Sequence, residues 1–209
     1  MNNIARHKVF ISYYHADDQY YKNYLINLKE YDGYNRQSIF EDYSVHENEI
    51  DDTGLTSEQI RRIIRDDYIK EATVLILLCG CNTKKRKHID WEIHAAMYNS
   101  EYNPKMGILV INLPSTNQYI RAGEDKEKPL ISNGTNWVHL DTRQEYENAY
   151  PYMPSRIIDN FIKGVPITVV DWSTIENDSS KLKTLIHYAY ERRKTNQYDH
   201  SAPLRRNNS

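Results

Sequence analysis

Cysteine is almost missing from this chain: Cys79 and Cys81 are the two that occur. They stand two positions apart, too close for an ordinary disulfide and not at a zinc-ligand spacing. The simple reading is reduced thiols in a cytoplasmic protein. Long apolar runs are missing too. The longest, around Val74 to Cys79, has the length of a strand, far short of the roughly 20 residues that cross a bilayer. The opening MNNIARHKVF holds no apolar stretch of the signal-peptide kind. An excess of charge of one sign is also lacking. Lys plus Arg total 27 and Asp plus Glu 29, for a formal net charge of −2, so nothing electrostatic calls for nucleic acid or an anionic membrane as partner.

Several chemistries are excluded by what does not follow the strands. There is no GxGxxG and no GxxxxGK[ST], so the phosphate cradles of dinucleotide folds and P-loops are missing. Where a receiver domain needs an aspartate, at the end of the third strand, this chain has Cys79 or Gly80. The 8 histidines form no HxxxH or HExxH, and His88 and His94 would not share a helix face. No metal site is expected.

What is present alternates. KVFIS at Lys8–Ser12 is short, β-branched and apolar on both faces, as a buried parallel strand should be. Asp17 and Asp18 then open a helix that should stop near Gly33. A second strand is expected at Ser38–Phe40, followed by a polar loop through Gly54. Thr56 or Ser57 caps the next helix. TVLILL at Thr73–Leu78 is the clearest strand, and a helix from about Lys87 to Tyr98 follows it. The spacing predicts a fourth strand at Gly107–Leu113 and a long loop over 115–136, broken by Gly and Pro. A fifth strand at Trp137–Leu140, a helix at Pro154–Lys163, an extended segment at Ile167–Asp171 and a helix at Ser179–Arg193 complete the pattern. This predicts an α/β protein: a parallel sheet with helices on both faces. The main domain is expected over 1–163, with a strand–helix extension over 164–193 packed on it and a disordered tail over 194–209.

In such sheets ligands bind beyond the carboxyl ends of the strands. The candidates are therefore 12–17, 41–44 and 79–92. Cys79 reads better as a small apolar strand end than as a nucleophile. Ser12 lacks a GxSxG elbow and reads as a hydroxyl that binds ligand or caps a turn. Glu92 differs. At about 100° per residue, Ile89, Ile93, Ala96 and Met97 form one stripe, and Glu92 sits at its edge. Burial without a partner would raise its pKa, as at many functional sites. The alternative is pairing with a nearby Lys or Arg. Trp91 points nearly opposite the stripe and must pack on the preceding loop or on a partner.

Two blocks carry a family likeness. KVFISYYHADD resembles the opening of TIR domains, and TVLILLCGCNTKKRKHIDWEI resembles their third strand, its exit loop and the helix bearing Trp and the catalytic Glu. The adjacency of Trp91 and Glu92 departs from TIR enzymes that space the two apart. It looks more like the bacterial TIR-like group of Thoeris antiphage defence, as does ITVVDWSTIENDSSKLKTLIHYAYERR. The resemblance implies a flavodoxin-like, TIR-type fold and chemistry on NAD+ as substrate, with no further cofactor. It implies Glu92 as catalyst, and Phe10, Ser12, Tyr13, Tyr14, Cys79, Gly80 and Trp91 as substrate-binding. A loop at about 41–53 would close over the site. A cyclic ADP-ribose-like product would then reach a partner effector protein. Two other readings stay open. One is a non-catalytic TIR module that self-associates, for which Trp91 and the altered loop are the motive. The other is a nucleoside glycosidase or deoxyribosyltransferase.

Overall fold

The computed structural model describes residues 4–31, 35–44, 53–99, 104–131 and 137–208. Its centre is β1 (Lys8–Ser12), followed by α1 (His15–Ile26) and a small antiparallel hairpin of β2 (Lys29–Tyr31) and β3 (Arg36–Ser38). Then come β4 (Glu41–Asp42), α2 (Ser57–Ile63) with a π-helical continuation at Ile64–Tyr68, β5 (Val74–Cys79) and α3 (Lys87–Met97). β6 (Gly107–Asn112) leads through α4 (Lys128–Ile131), α5 (Arg143–Ala149) and α6 (Ser155–Ile162) to β7 (Thr168–Asp171). α7 (Trp172–Ile175) and α8 (Ser179–Arg192) follow.

Five strands form one parallel sheet in the order β4-β1-β5-β6-β7. This is the expected flavodoxin-like arrangement. Every residue of β5 and β6 is buried, which explains why both read as unbroken apolar runs. Alternation divides them between two cores. Phe10, Leu75, Leu77 and Cys79 face α2, α3 and α6. Val9, Ile11, Ile76 and Leu78 face Leu25 of α1 and the Leu182, Leu185, Ile186 and Ala189 stripe of α8. α8 approaches so closely that a Cβ on Gly107 would lie 2.0 Å from the Ala189 carbonyl oxygen. After β1 the chain first turns to β4, then crosses to β5 on the other side. The strand order reverses there, between β1 and β5, the position at which sheets of this kind bind ligands beyond the carboxyl ends of the strands.

Several expected elements are corrected. α1 ends at Ile26, well before Gly33, which lies outside the described residues; Asn27 caps it and returns its side-chain amide to the Asn23 carbonyl at 2.8 Å. The second sheet strand is Glu41–Asp42 rather than Ser38–Phe40, because Lys8 and Val9 pair with Glu41 and Asp42. Ile39 and Phe40 go into the core beside it. Trp137–Leu140 forms no strand; the fifth sheet strand is β7. The 115–136 segment is partly built. A buried Glu127 takes hydrogen bonds from Gly123 N and Thr168 and pairs with Arg192, which ties the segment to β7 and α8. Thr56, one of the two expected caps, bonds Gln59 reciprocally ahead of α2.

The largest correction is the tail. Composition predicts a disordered tail over 194–209, yet among its described residues Asn196, Tyr198 and Leu204 are buried. Asn160 of α6 exchanges two hydrogen bonds with the Asp199 backbone, at 3.0 and 2.8 Å. Arg156 donates to the carbonyls of Ala202 and Pro203, both at 3.1 Å. The segment is polar in composition but is held through its backbone, so it needs little apolar surface to be ordered.

Candidate active site

Ser12 ends β1 and Glu92 lies in the second turn of α3, on the same side of the sheet. The Ser12 hydroxyl donates to Glu92 Oε2 at 2.6 Å, a short charge-assisted bond when the carboxylate is ionised. No other hydrogen bond or ion pair to this carboxylate is made among the described residues. The expected alternative, pairing with a Lys or Arg, is therefore not what the structure shows. Burial pushes the Glu92 carboxyl up to about 7, with the Ser12 bond pulling the other way. The side chain is nevertheless partly open to solvent. A carboxyl held at its rear oxygen and tuned near neutrality sits at the strand-order reversal, where a ligand is expected.

The other candidates separate. Phe10 is buried beneath Ser12, two residues back on the same face. Tyr14 is half-buried against the same core, and the Arg86 guanidinium lies 3.7 Å over its ring. Tyr13 goes to the opposite core and donates its hydroxyl to Gln19 at 2.7 Å; alternation along an extended chain sends neighbours to opposite faces. Cys79 is fully buried, accepts from Gln118 at 3.3 Å, and has its thiol pushed up to about 12 by burial. It is a packed strand end with no nucleophilic character. Gly80 leaves room for Asp18, whose carboxylate oxygens would be 2.7 Å from a Cβ there.

Trp91 is 1% exposed. Its indole N–H donates to the Arg205 carbonyl at 2.7 Å, and the Lys87 ammonium lies over its ring. Asp90 accepts from Arg156 Nε and Nη2, at 2.9 and 3.1 Å, and from the Arg205 N–H at 2.9 Å. Asn208 Oδ1 accepts from Lys87 N at the first turn of α3. The tail thus roofs the side of α3 away from the sheet, and Trp91 packs internally rather than offering itself to a partner. It is not among the side chains gathered at Glu92. Of the 41–53 loop, residues 45–52 lie outside the described residues; Ser44 accepts from Ile11 N at 2.9 Å, next to Ser12 in the chain.

A family model described as "Thoeris protein ThsB, TIR-like domain" matches residues 10–118, a little over half of the chain. The chain belongs to this family. The matched span of this ThsB-family chain runs from Phe10 through Ser12, Cys79 and Glu92 to Gln118, so it holds both members of the Ser12–Glu92 pair. Membership supports a TIR-type role in Thoeris antiphage defence. Comparison with curated proteins and with solved structures returned no match. No described helix is long and apolar enough to cross a membrane.

Proposed function

We propose that this protein cleaves the nicotinamide glycosidic bond of NAD+ and forms a cyclic ADP-ribose-like signal that activates a partner effector. The observation that supports this is the Ser12–Glu92 pair at the strand-order reversal. Most glycosidases need two carboxyl groups, because a poor leaving group must be protonated. Nicotinamide needs no such help. When the C1′–N bond breaks, its electron pair neutralises the pyridinium nitrogen. One carboxylate then suffices to stabilise the oxocarbenium-like ribose and to orient its hydroxyls. Ser12 holds Oε2, leaving Oε1 for the sugar. A cationic nicotinamide riboside beside Glu92 lowers its pKa and favours the ionised form the reaction needs. Water attacking C1′ and losing a proton gives ADP-ribose; a hydroxyl of the same ADP-ribosyl group doing so gives the cyclic isomer.

The test is mass spectrometry of nucleotides from phage-infected cells carrying the wild type or Glu92→Gln. The wild type should show NAD+ loss and a new ADP-ribose isomer, and the variant neither. Identical nucleotide pools in the two would sink the enzymatic role of Glu92.

A further inference from the structure

A second cleft, of about 470 Å³, opens over the carboxyl ends of β6 and β7. Neither Ser12 nor Glu92 lines it; Gln118, which does, also bonds Cys79 at the end of β5. Its volume suits a drug-sized or nucleotide-sized ligand.

Its walls are aromatic. Tyr119, Trp137 and Val138, at 50%, 39% and 56% exposure, are three of the six large hydrophobic residues left exposed among the described residues. Tyr146 and Tyr150 stack behind them, and Tyr119 meets Tyr150 edge-on at 6.4 Å. Scattered exposed apolar groups need no explanation, but grouping them around one concavity marks a ligand surface.

Its floor is polar. Asp171 ends β7, and its Oδ1 accepts from Asn112 at 3.1 Å. Asn112 is itself fixed by Gln118 at 3.1 Å. No cation pairs with Asp171 among the described residues, and burial raises its pKa. A carboxylate held at one oxygen, half removed from water and facing a cleft, favours a ligand that donates hydrogen bonds. Lys128 lines the cleft with its ammonium 5.6 Å from the Trp137 ring and 2.7 Å from the exposed Asp125, and Arg121 also lines it while bonding the Val165 and Ile167 carbonyls. Those two cations oppose a cationic guest in the aromatic walls. They favour a planar ring bearing hydroxyl donors and a negative group.

We propose that this cleft is a nucleotide-binding site separate from the Ser12–Glu92 pair. The base stacks on Tyr119 and Trp137, the ribose diol donates to Asp171, and the phosphate meets Lys128. The site stands independently of any reaction at Glu92.

The test uses AMP as probe on the intact chain carrying 5-fluorotryptophan. Fluorine NMR then resolves Trp91, Trp137 and Trp172, assigned by Trp→Phe variants. AMP should shift the Trp137 resonance with saturation. Asp171→Asn and Tyr119→Ala should each weaken this binding at least tenfold, consistent with loss of a charged hydrogen bond or a stacking platform. Glu92→Gln should change it less than twofold. The proposal is overturned if Trp137 does not respond at millimolar AMP. It is equally overturned if the response survives Asp171→Asn but is lost in Glu92→Gln, which would put the nucleotide at the Ser12–Glu92 pair.

Discussion

Glu92→Gln should stabilise the folded protein, and by an amount that grows with pH. In the unfolded chain the carboxyl titrates at its ordinary value of 4.5; in the fold, burial carries it to about 7. Between those values the folded state holds a proton that the unfolded state has released. Stability contributed by the neutral acid is thus full below pH 4.5 and falls as pH rises, levelling off above pH 7. Integrating the linkage from pH 5 to pH 8 gives a loss of about 2.5 kcal/mol from this group alone. Glutamine never ionises, keeps a carbonyl for the Ser12 hydroxyl and occupies nearly the same volume. Urea denaturation of both proteins at pH 5, 6, 7 and 8 isolates the effect, since every other titrating group cancels in the difference. The variant's advantage should widen by about 2.5 kcal/mol across that range, a midpoint shift of about 1 M at an ordinary urea slope. An advantage that does not change with pH, or one that shrinks, refutes the assignment of a desolvated carboxyl at this position.

Other consequences follow from the packing. Arg156→Met removes the cation from Asp90 beneath the tail and should cost about 3 kcal/mol or more by urea denaturation, with Asp90→Asn in the same chain recovering part of it; additive losses would deny the pairing. Gly107→Ala places a methyl against the Ala189 backbone and should destabilise by at least about 2 kcal/mol, where a neutral result would mean that α8 sits farther from β6. Iodoacetamide should label the half-exposed Cys81 in the native protein and reach the buried Cys79 only on unfolding, as read by peptide mass spectrometry; native labelling of Cys79 would contradict its burial.

Local pattern revealed the elements whose fate is decided locally. β1, β5 and β6 were legible because a strand buried on both faces must be apolar throughout. α3 was legible from its stripe, with Glu92 at the stripe's edge. The β2–β3 hairpin was not, since strands of three mostly polar residues carry no period to read. α5 could have been found from Thr142 and Glu145, which form a capping box. The tail's order was hidden because its partners, Asn160, Arg156 and Trp91, lie far back in the chain and bond its backbone rather than its side chains. The Ser12–Glu92 contact spans 80 positions and becomes visible only when the strand order is known. Trp91 seemed to demand a partner because its cover comes from a segment whose composition suggests disorder. Trp137 misled as a strand for a related reason: its apolar neighbours face a cleft instead of a sheet.

The roof over α3 also sets an order of events during synthesis. Trp91 waits for Arg205, 114 positions later, which at ribosomal speeds is on the order of ten seconds. Until then the helix carrying Glu92 has its sheet side packed and its outer side bare. A nascent chain can therefore assemble its central strands early, while the scaffold behind the proposed catalytic carboxylate is completed among the last of the described residues.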